Sequence, residues 1–167
     1  MRSLQAFAVD LRSRHFATEP LIVANVWDVA SARAVADTGH PVLATSSAAV
    51  ARIARAVKMP VSADMEAGYG LPPRELVDRL LEAGAAGCNL EDSDYHGPGG
   101  LTEAERQADY LAAVSEIARV SGWGSSSMPG WTSTSRAATR LTVGPMRPFG
   151  EDACTWPRAR RVSIPSA

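Results

Sequence analysis

Cysteine and lysine are both scarce in this chain. Two cysteines, Cys88 and Cys154, stand among 167 residues. They are too few for a disulfide framework, which points to a reducing, cytoplasmic setting. No run approaches the roughly 20 apolar residues of a membrane span, so no membrane partner is expected. Arg2, Asp10, Arg12 and Arg14 interrupt the first residues, and no apolar segment of a secretory signal lies between them. The formal net charge is −1, which argues against a broad nucleic-acid-binding surface. The length suits one domain but falls short of the roughly 250 residues of a complete eight-fold βα barrel. Hydrophobic residues at 46% and charged residues at 21% are nonetheless globular proportions.

Composition changes near residue 122. Residues 1–122 carry 16 acids and 11 bases, a net of −5, while residues 123–167 carry 2 acids and 6 bases, a net of +4. Trp123, Trp131 and Trp156 fall in the second stretch, with seven serines, five prolines and four glycines. Neither a 3.6- nor a 2.0-residue period runs through it. So little apolar surface does not offset the entropy of ordering. The expected organisation is a domain over 1–122 and an irregular tail, not natively packed, over 123–167.

Before that seam the chain alternates strand and helix patterns. Apolar runs at 21–26, 41–47, 60–66 and 87–92 read as buried parallel strands. Helices are expected after each. One is capped by Asp28 or Ser31 and ended by Gly39, and one spans Ala49–Val57. One runs from Pro73 to Ala83 with Gly84 closing it, and one opens on the Thr102-x-x-Glu105 capping box and reaches about Arg119. Successive strand–helix units imply an α/β fold with right-handed crossovers. The spacing alone suits either half a barrel or a doubly wound sheet.

Polar residues gather at the carboxyl end of every expected strand: Asn25 and Asp28, Ser46 and Ser47, Asp64 and Glu66, Glu91 and Asp92. In parallel α/β folds that edge is where sites are built. Asp64 and Glu66 lie two apart on an extended strand and would share a face. With Glu91 they would converge as hard oxygen ligands, suited to Mg²⁺ or Mn²⁺. Each acid taken alone reads first as a helix cap or a solvated loop residue, and it is the set of three that points to a site. His15, His40 and His96 show no metal spacing. Gly68-Tyr69-Gly70-Leu71-Pro72 only loosely matches a phosphate-cradling loop, and His96-Gly97-Pro98-Gly99-Gly100 reads as a loop beside the mouth.

Four segments in this order carry a resemblance. Asn25-Val26-Trp27-Asp28-Val29-Ala30-Ser31-Ala32-Arg33 is followed by Ala44-Thr45-Ser46-Ser47. Then come Ser62-Ala63-Asp64-Met65-Glu66-Ala67-Gly68-Tyr69-Gly70 and Asn89-Leu90-Glu91-Asp92-Ser93. Together they resemble the isocitrate lyase/phosphoenolpyruvate mutase superfamily, most of all its small phosphonomutase-like and oxaloacetate decarboxylase-like members, over about residues 4–120. The resemblance implies a TIM-type βα barrel, here partial with about four βα units. It also implies a lyase or mutase that cleaves or forms a C–C or P–C bond next to a 2-oxo acid through an enolate. It makes Asp64 a Mg²⁺ ligand (Mn²⁺ being the alternative ion), with Glu66 and Glu91 holding the metal directly or through water. It places the substrate carboxylate on the backbone at Ser46-Ser47, with Asn25 and Asp28 as further substrate-binding candidates. Intact relatives would be homo-oligomers, and the partner a small 2-oxo acid. A catalytically inactive truncated remnant is the alternative.

The sequence departs from that family in three places. Ser47-Ala48-Ala49-Val50 runs straight into Ala51-Arg52-Ile53, without the substrate-covering loop and its catalytic acid. The Lys-Lys-Cys-Gly-His run of isocitrate lyases is absent, and Cys88 reads as a core residue of the fourth strand. The chain after Arg119 does not continue the barrel pattern.

The genetic code offers an explanation for the third departure. Read from the third base of each codon, Met128-Pro129 must give Ala and Trp131-Thr132 must give Asp. Ser127-Met128 can give Asn, Pro129-Gly130 Arg, and Gly130-Trp131 Val. The resulting Asn-Ala-Arg-Val-Asp resembles the family's fifth-strand motif with its substrate-binding arginine. One lysine against 16 arginines suits the GC-rich coding sequence in which such tails arise. Sequencing the coding nucleotides around codons 119–131 is expected to show this second frame open; codons there that cannot spell Asn-Ala-Arg-Val-Asp would refute it.

Overall fold

A computed structural model describes residues 3–94, 100–123 and 132–134. The elements in chain order are α1 (Leu4–His15), β1 (Ala24–Asn25), α2 (Val29–Asp37), β2 (Leu43–Ser46), α3 (Val50–Ala56), β3 (Val61–Asp64) and α4 (Pro73–Ala83). After these come β4 (Gly87–Glu91), β5 (Ser93–Asp94), β6 (Gly100–Leu101), α5 (Ala104–Val120) and β7 (Thr132–Thr134). Strands β1, β2, β3, β4 and β7 form one parallel sheet in that order. The short β5 and β6 pair antiparallel beside it. This is the α/β fold with four successive strand–helix units that the sequence predicts, arranged as a partial barrel wall.

Local signals explain the helices. Asp28 caps α2 with a reciprocal pair: its carboxylate accepts from the Ser31 amide at 2.7 Å, and the Ser31 hydroxyl faces the Asp28 amide at 3.2 Å. Pro73 opens α4, and Gly84 closes it in the left-handed region at φ 78°. The Thr102–Glu105 capping box does not form. Glu103 takes the cap position without a side-chain bond, and the Thr102 amide donates instead to the Asp92 carbonyl at 2.7 Å. Helix α1 lies ahead of the first expected strand. Its signal is Leu4, Phe7, Ala8 and Leu11 at three- and four-residue spacing. Leu11 packs with Val42 and Ala86 in a small cluster joined by Phe7, Leu21 and Val23.

The sheet has two unlike faces. Leu43, Val61, Ala63, Cys88 and Leu90 alternate onto one face and are buried. There they meet Ile53 of α3, Leu76, Val77 and Leu80 of α4, and Leu111 and Val114 of α5. Ala44, Ser46, Ser62, Asp64, Asn89 and Glu91 alternate onto the other, and none of them is buried. Small and polar residues on that face match the interior of a barrel wall. No helix among the described residues is long and apolar enough to cross a membrane.

Two observations bear on the segment after residue 122. Trp123, expected as the first residue of the tail, is 1% exposed and its indole nitrogen donates to the Ala85 carbonyl at 2.9 Å. One tryptophan carries enough apolar area to anchor a segment without any periodicity. Thr132–Thr134 then pairs parallel with β4, Asn89 opposite Thr132 and Glu91 opposite Thr134. A sheet edge recruits a strand through main-chain groups, so the polar Thr-Ser-Thr run suffices. The other residues assigned to the tail, 124–131 and 135–167, lie outside the described residues.

Trp123→Ala should destabilise the fold by about 3–5 kcal/mol, the usual cost of removing a large aromatic side chain from a core. Urea denaturation followed by circular dichroism measures it. A midpoint equal to the parent's would place Trp123 outside the core.

Candidate functional site

The carboxyl edge of the sheet is built where β3 and β4 end. Asp64 closes β3 opposite Asn89. Beyond it the ladder continues through main chain alone: the Met65 amide donates to the Asn89 carbonyl at 3.2 Å, and the Glu91 amide to the Glu66 carbonyl at 2.7 Å. Glu66 reaches that position with φ 48° and Tyr69 follows with φ 53°. Both lie in the left-handed region, which costs a non-glycine residue on the order of 1 kcal/mol or more. Asp64, Glu66 and Glu91 are therefore neighbours along one edge. The expectation that Asp64 and Glu66 share a strand face fails, because β3 ends at Asp64 and the turn at Glu66 breaks the two-residue period.

The Asp64 carboxylate is held from one side. Its Oδ1 accepts from the Asn89 side-chain amide at 2.9 Å and from the Glu66 backbone amide at 3.2 Å. Its Oδ2 makes no hydrogen bond among the described residues, and the side chain is exposed. No set of three Asp, Glu, His or Cys side chains among the described residues is gathered to hold a metal ion on its own. What is present, one oriented carboxylate with a bare oxygen and two more acids along the edge, suits a hard cation that keeps most of its water.

Helix α5 ties this edge down. The Gln107 side-chain amide donates to the Glu91 carbonyl at 3.2 Å, and the Tyr110 hydroxyl to the Leu71 carbonyl at 2.9 Å. Gly68 sits under that hydroxyl at φ 82°; a Cβ there would lie 2.6 Å from the Tyr110 oxygen. Burial pushes the Tyr110 hydroxyl pKa up, with the neighbouring Cys88 adding to it. Cys88 itself is fully buried, and burial followed by the Asp64 charge raises its thiol well above the ordinary range. It is a core residue with no route to the mouth.

The other expected residues divide. Ser46 ends β2 in register with Asp64 and is exposed. Ser47 begins the turn Ser47–Ala49, and its hydroxyl lies 3.1 Å from that of Tyr69, joining the ends of β2 and β3. Asn25 is exposed at the end of β1, opposite Ala44. Asp28 is engaged in capping α2, and hydrogen bonds to Ser31 lower its carboxyl pKa. Asn89, Tyr69, Gln107 and Tyr110 were not among the candidates. Asn89 could have been found, since it lies two residues before Glu91 on the same strand face. Two surface clefts among the described residues lie away from this edge, one on the outer side of α4 among Arg74, Asp78 and Glu82, the other toward the amino edge among Leu21, His40 and Pro41.

Comparison with known proteins adds to this geometry. The family described as phosphoenolpyruvate phosphomutase matches residues 11–52 and 48–124. A search of curated proteins gave no match. Among solved structures, a provisionally assigned phosphonomutase from Burkholderia cenocepacia J2315 is 32% identical, with a TM-score of 0.69 over 82% of this chain and 63% of that one. A provisionally assigned lyase/mutase from the same organism is 26% identical, with a TM-score of 0.66 over 79% and 54%. A 2,3-dimethylmalate lyase, described as a PEP mutase/isocitrate lyase superfamily member, shares the fold at 20% identity with a TM-score of 0.66 over 82% and 54%. The chain thus spans less than two thirds of the length of these structures.

Gly68→Ala should cost more than about 1 kcal/mol, because it combines a left-handed φ with the Tyr110 contact. In a Tyr110→Phe background the clashing oxygen is gone, so the paired cost should fall below the sum of the single costs. Urea denaturation of the four proteins checks this, and simple additivity would contradict the contact. Cys88 should resist iodoacetamide at neutral pH until denaturant is added, as read by peptide mass spectrometry. Native labelling would show the strand is not closed around it.

Proposed function

Because this chain belongs to the phosphoenolpyruvate phosphomutase family, a group of lyases and mutases, we propose that its carboxyl edge is the Mg²⁺- and carboxylate-binding part of such a site. The reaction is cleavage or formation of a C–C or P–C bond next to a small 2-oxo acid. The carrying observation is the Asp64 carboxylate, held through Oδ1 with Oδ2 left open. Asp64 would ligate the ion, and Glu66 and Glu91 would orient its water. Mn²⁺ would fit the same oxygen donors. When bound, the ion supplies positive charge that stabilises the enolate oxygen as the bond breaks. Ser46 and Ser47 would orient the substrate carboxylate through backbone amides, with the Ser47–Tyr69 hydroxyl pair beside it. Asn25 stands on the same face, while Asp28 serves mainly to start α2. A cytoplasmic location belongs to the same proposal, supported by the sparse cysteines.

A second reading, a catalytically inactive remnant, is favoured by the openness of this edge. Ser46, Asp64 and Glu66 are all exposed, and β2 passes through Ser47–Ala49 directly into α3. An open site does not exclude water from a reacting enolate.

The test follows pyruvate or phosphoenolpyruvate release from oxaloacetate, 2-methylisocitrate or phosphonopyruvate with Mg²⁺ present, beside an Asp64→Ala control. Each missing electrostatic stabiliser lowers the rate by about 10²–10³, so the expected result is metal binding that needs Asp64 and little or no turnover. Turnover lost in Asp64→Ala establishes the enzyme. Asp64-dependent binding without turnover establishes the remnant, and turnover indifferent to Asp64 overturns the site.

A further inference from the structure

We infer that Asn89 is a positioning residue for the metal-ligating carboxylate of Asp64, a role that rests on the metal reading of the carboxyl edge. Two donors converge on one oxygen. The Asn89 side-chain amide lies 2.9 Å from Asp64 Oδ1, and the Glu66 backbone amide lies 3.2 Å from the same atom. An exposed aspartate has free rotation about its side chain, and binding an ion would cost it that freedom. Two hydrogen bonds on Oδ1 restrict it beforehand and leave Oδ2 as the ligating oxygen. A ligating carboxylate that is itself hydrogen-bonded is the general pattern around protein-bound metals.

Chemistry fixes the direction of the Asn89 amide. Its carbonyl end would be repelled by a carboxylate, so the NH₂ faces Asp64 and the carbonyl oxygen turns away. That oxygen has no partner among the described residues and is left for water at the mouth. The two donors are also independent in origin. The Glu66 amide belongs to the main chain two residues on, in the turn that follows the end of β3 at Asp64. The Asn89 amide is aimed by sheet register, because Asn89 sits directly opposite Asp64. A side-chain substitution can remove only the second, which isolates its contribution.

The experiment titrates the 167-residue chain with Mn²⁺ and reads free ion by electron paramagnetic resonance, with a thermal melt of each protein without metal. Asn89→Leu keeps the side-chain shape and removes the donor. Asn89→Ala removes the donor without adding bulk and guards against a packing artefact. Both should weaken Mn²⁺ binding by about 10–100-fold, the usual cost of losing such an outer partner, while the metal-free melts stay where the parent's is. Asn89→Gln keeps an amide donor and should retain most of the affinity. Asp64→Asn should abolish binding. Unchanged affinity in Asn89→Leu and Asn89→Ala, with binding lost in Asp64→Asn, would overturn the role of Asn89 and leave the metal site intact. A loss in Asn89→Gln equal to that in Asn89→Leu would overturn its role as donor. No Mn²⁺ binding by the parent chain, or binding unaffected by Asp64→Asn, would overturn the metal reading and the role of Asn89 with it.

Discussion

The hydrogen bond from the Glu91 amide to the Glu66 carbonyl, 2.7 Å long, carries the pairing of β3 and β4 past the last residue of β3. The acid-bearing turn after β3 is tied to β4 through it. It accompanies the left-handed conformation of Glu66, and in the same turn the Glu66 amide faces back onto Asp64. The same stretch is gripped from behind by α5, through Gln107 on the Glu91 carbonyl and Tyr110 on the Leu71 carbonyl. A strained residue persists only where its surroundings over-determine it. Here a strand, a helix and a glycine do so together.

The two faces of the sheet divide the work between stability and chemistry. Alternation sends Ala63, Cys88 and Leu90 into the core against α4 and α5. The residues between them, Ser62, Asp64 and Asn89, go to the other face. Trp123 closes the core below α5 and satisfies its own indole donor there. Because α5 both fills the core and holds the acid-bearing turns, a loss of core packing would be transmitted directly to the Asp64 edge.

Matching relatives run well beyond the portion aligned here, since the chain spans 63% and 54% of the first two. The wall that is present supplies donors and acids from adjacent strand ends. Among the described residues, Ser46, Asp64 and Glu66 stay exposed. In a barrel enzyme the mouth is completed by loops from all around the ring, and water exclusion is a property of that whole ring. On the proposed reading, ion affinity at Asp64 would be a local matter, whereas turnover would not, and the two can be separated experimentally.

Much of this was legible without coordinates. Pro73 and Gly84 bound α4 in the sequence as in the structure. Asp28 and Ser31 mark the start of α2, and the polar strand ends lie on one edge. These features depend on partners a few residues away, or on the direction of parallel strands, so a linear reading captures them. The Thr102–Glu105 box failed because the Thr102 amide was claimed by Asp92. The shared face of Asp64 and Glu66 failed because the conformation of Glu66 is set with Glu91, 25 residues on. Asn89 reached Asp64 through sheet register, and Trp123 reached Ala85 through the packing of α5. The sequence by itself determined which elements form and which chemistry stands at their ends. Only the tertiary structure decided that Asn89 orients Asp64 beside the local Glu66 amide, because that contact joins segments whose nearness is created by folding.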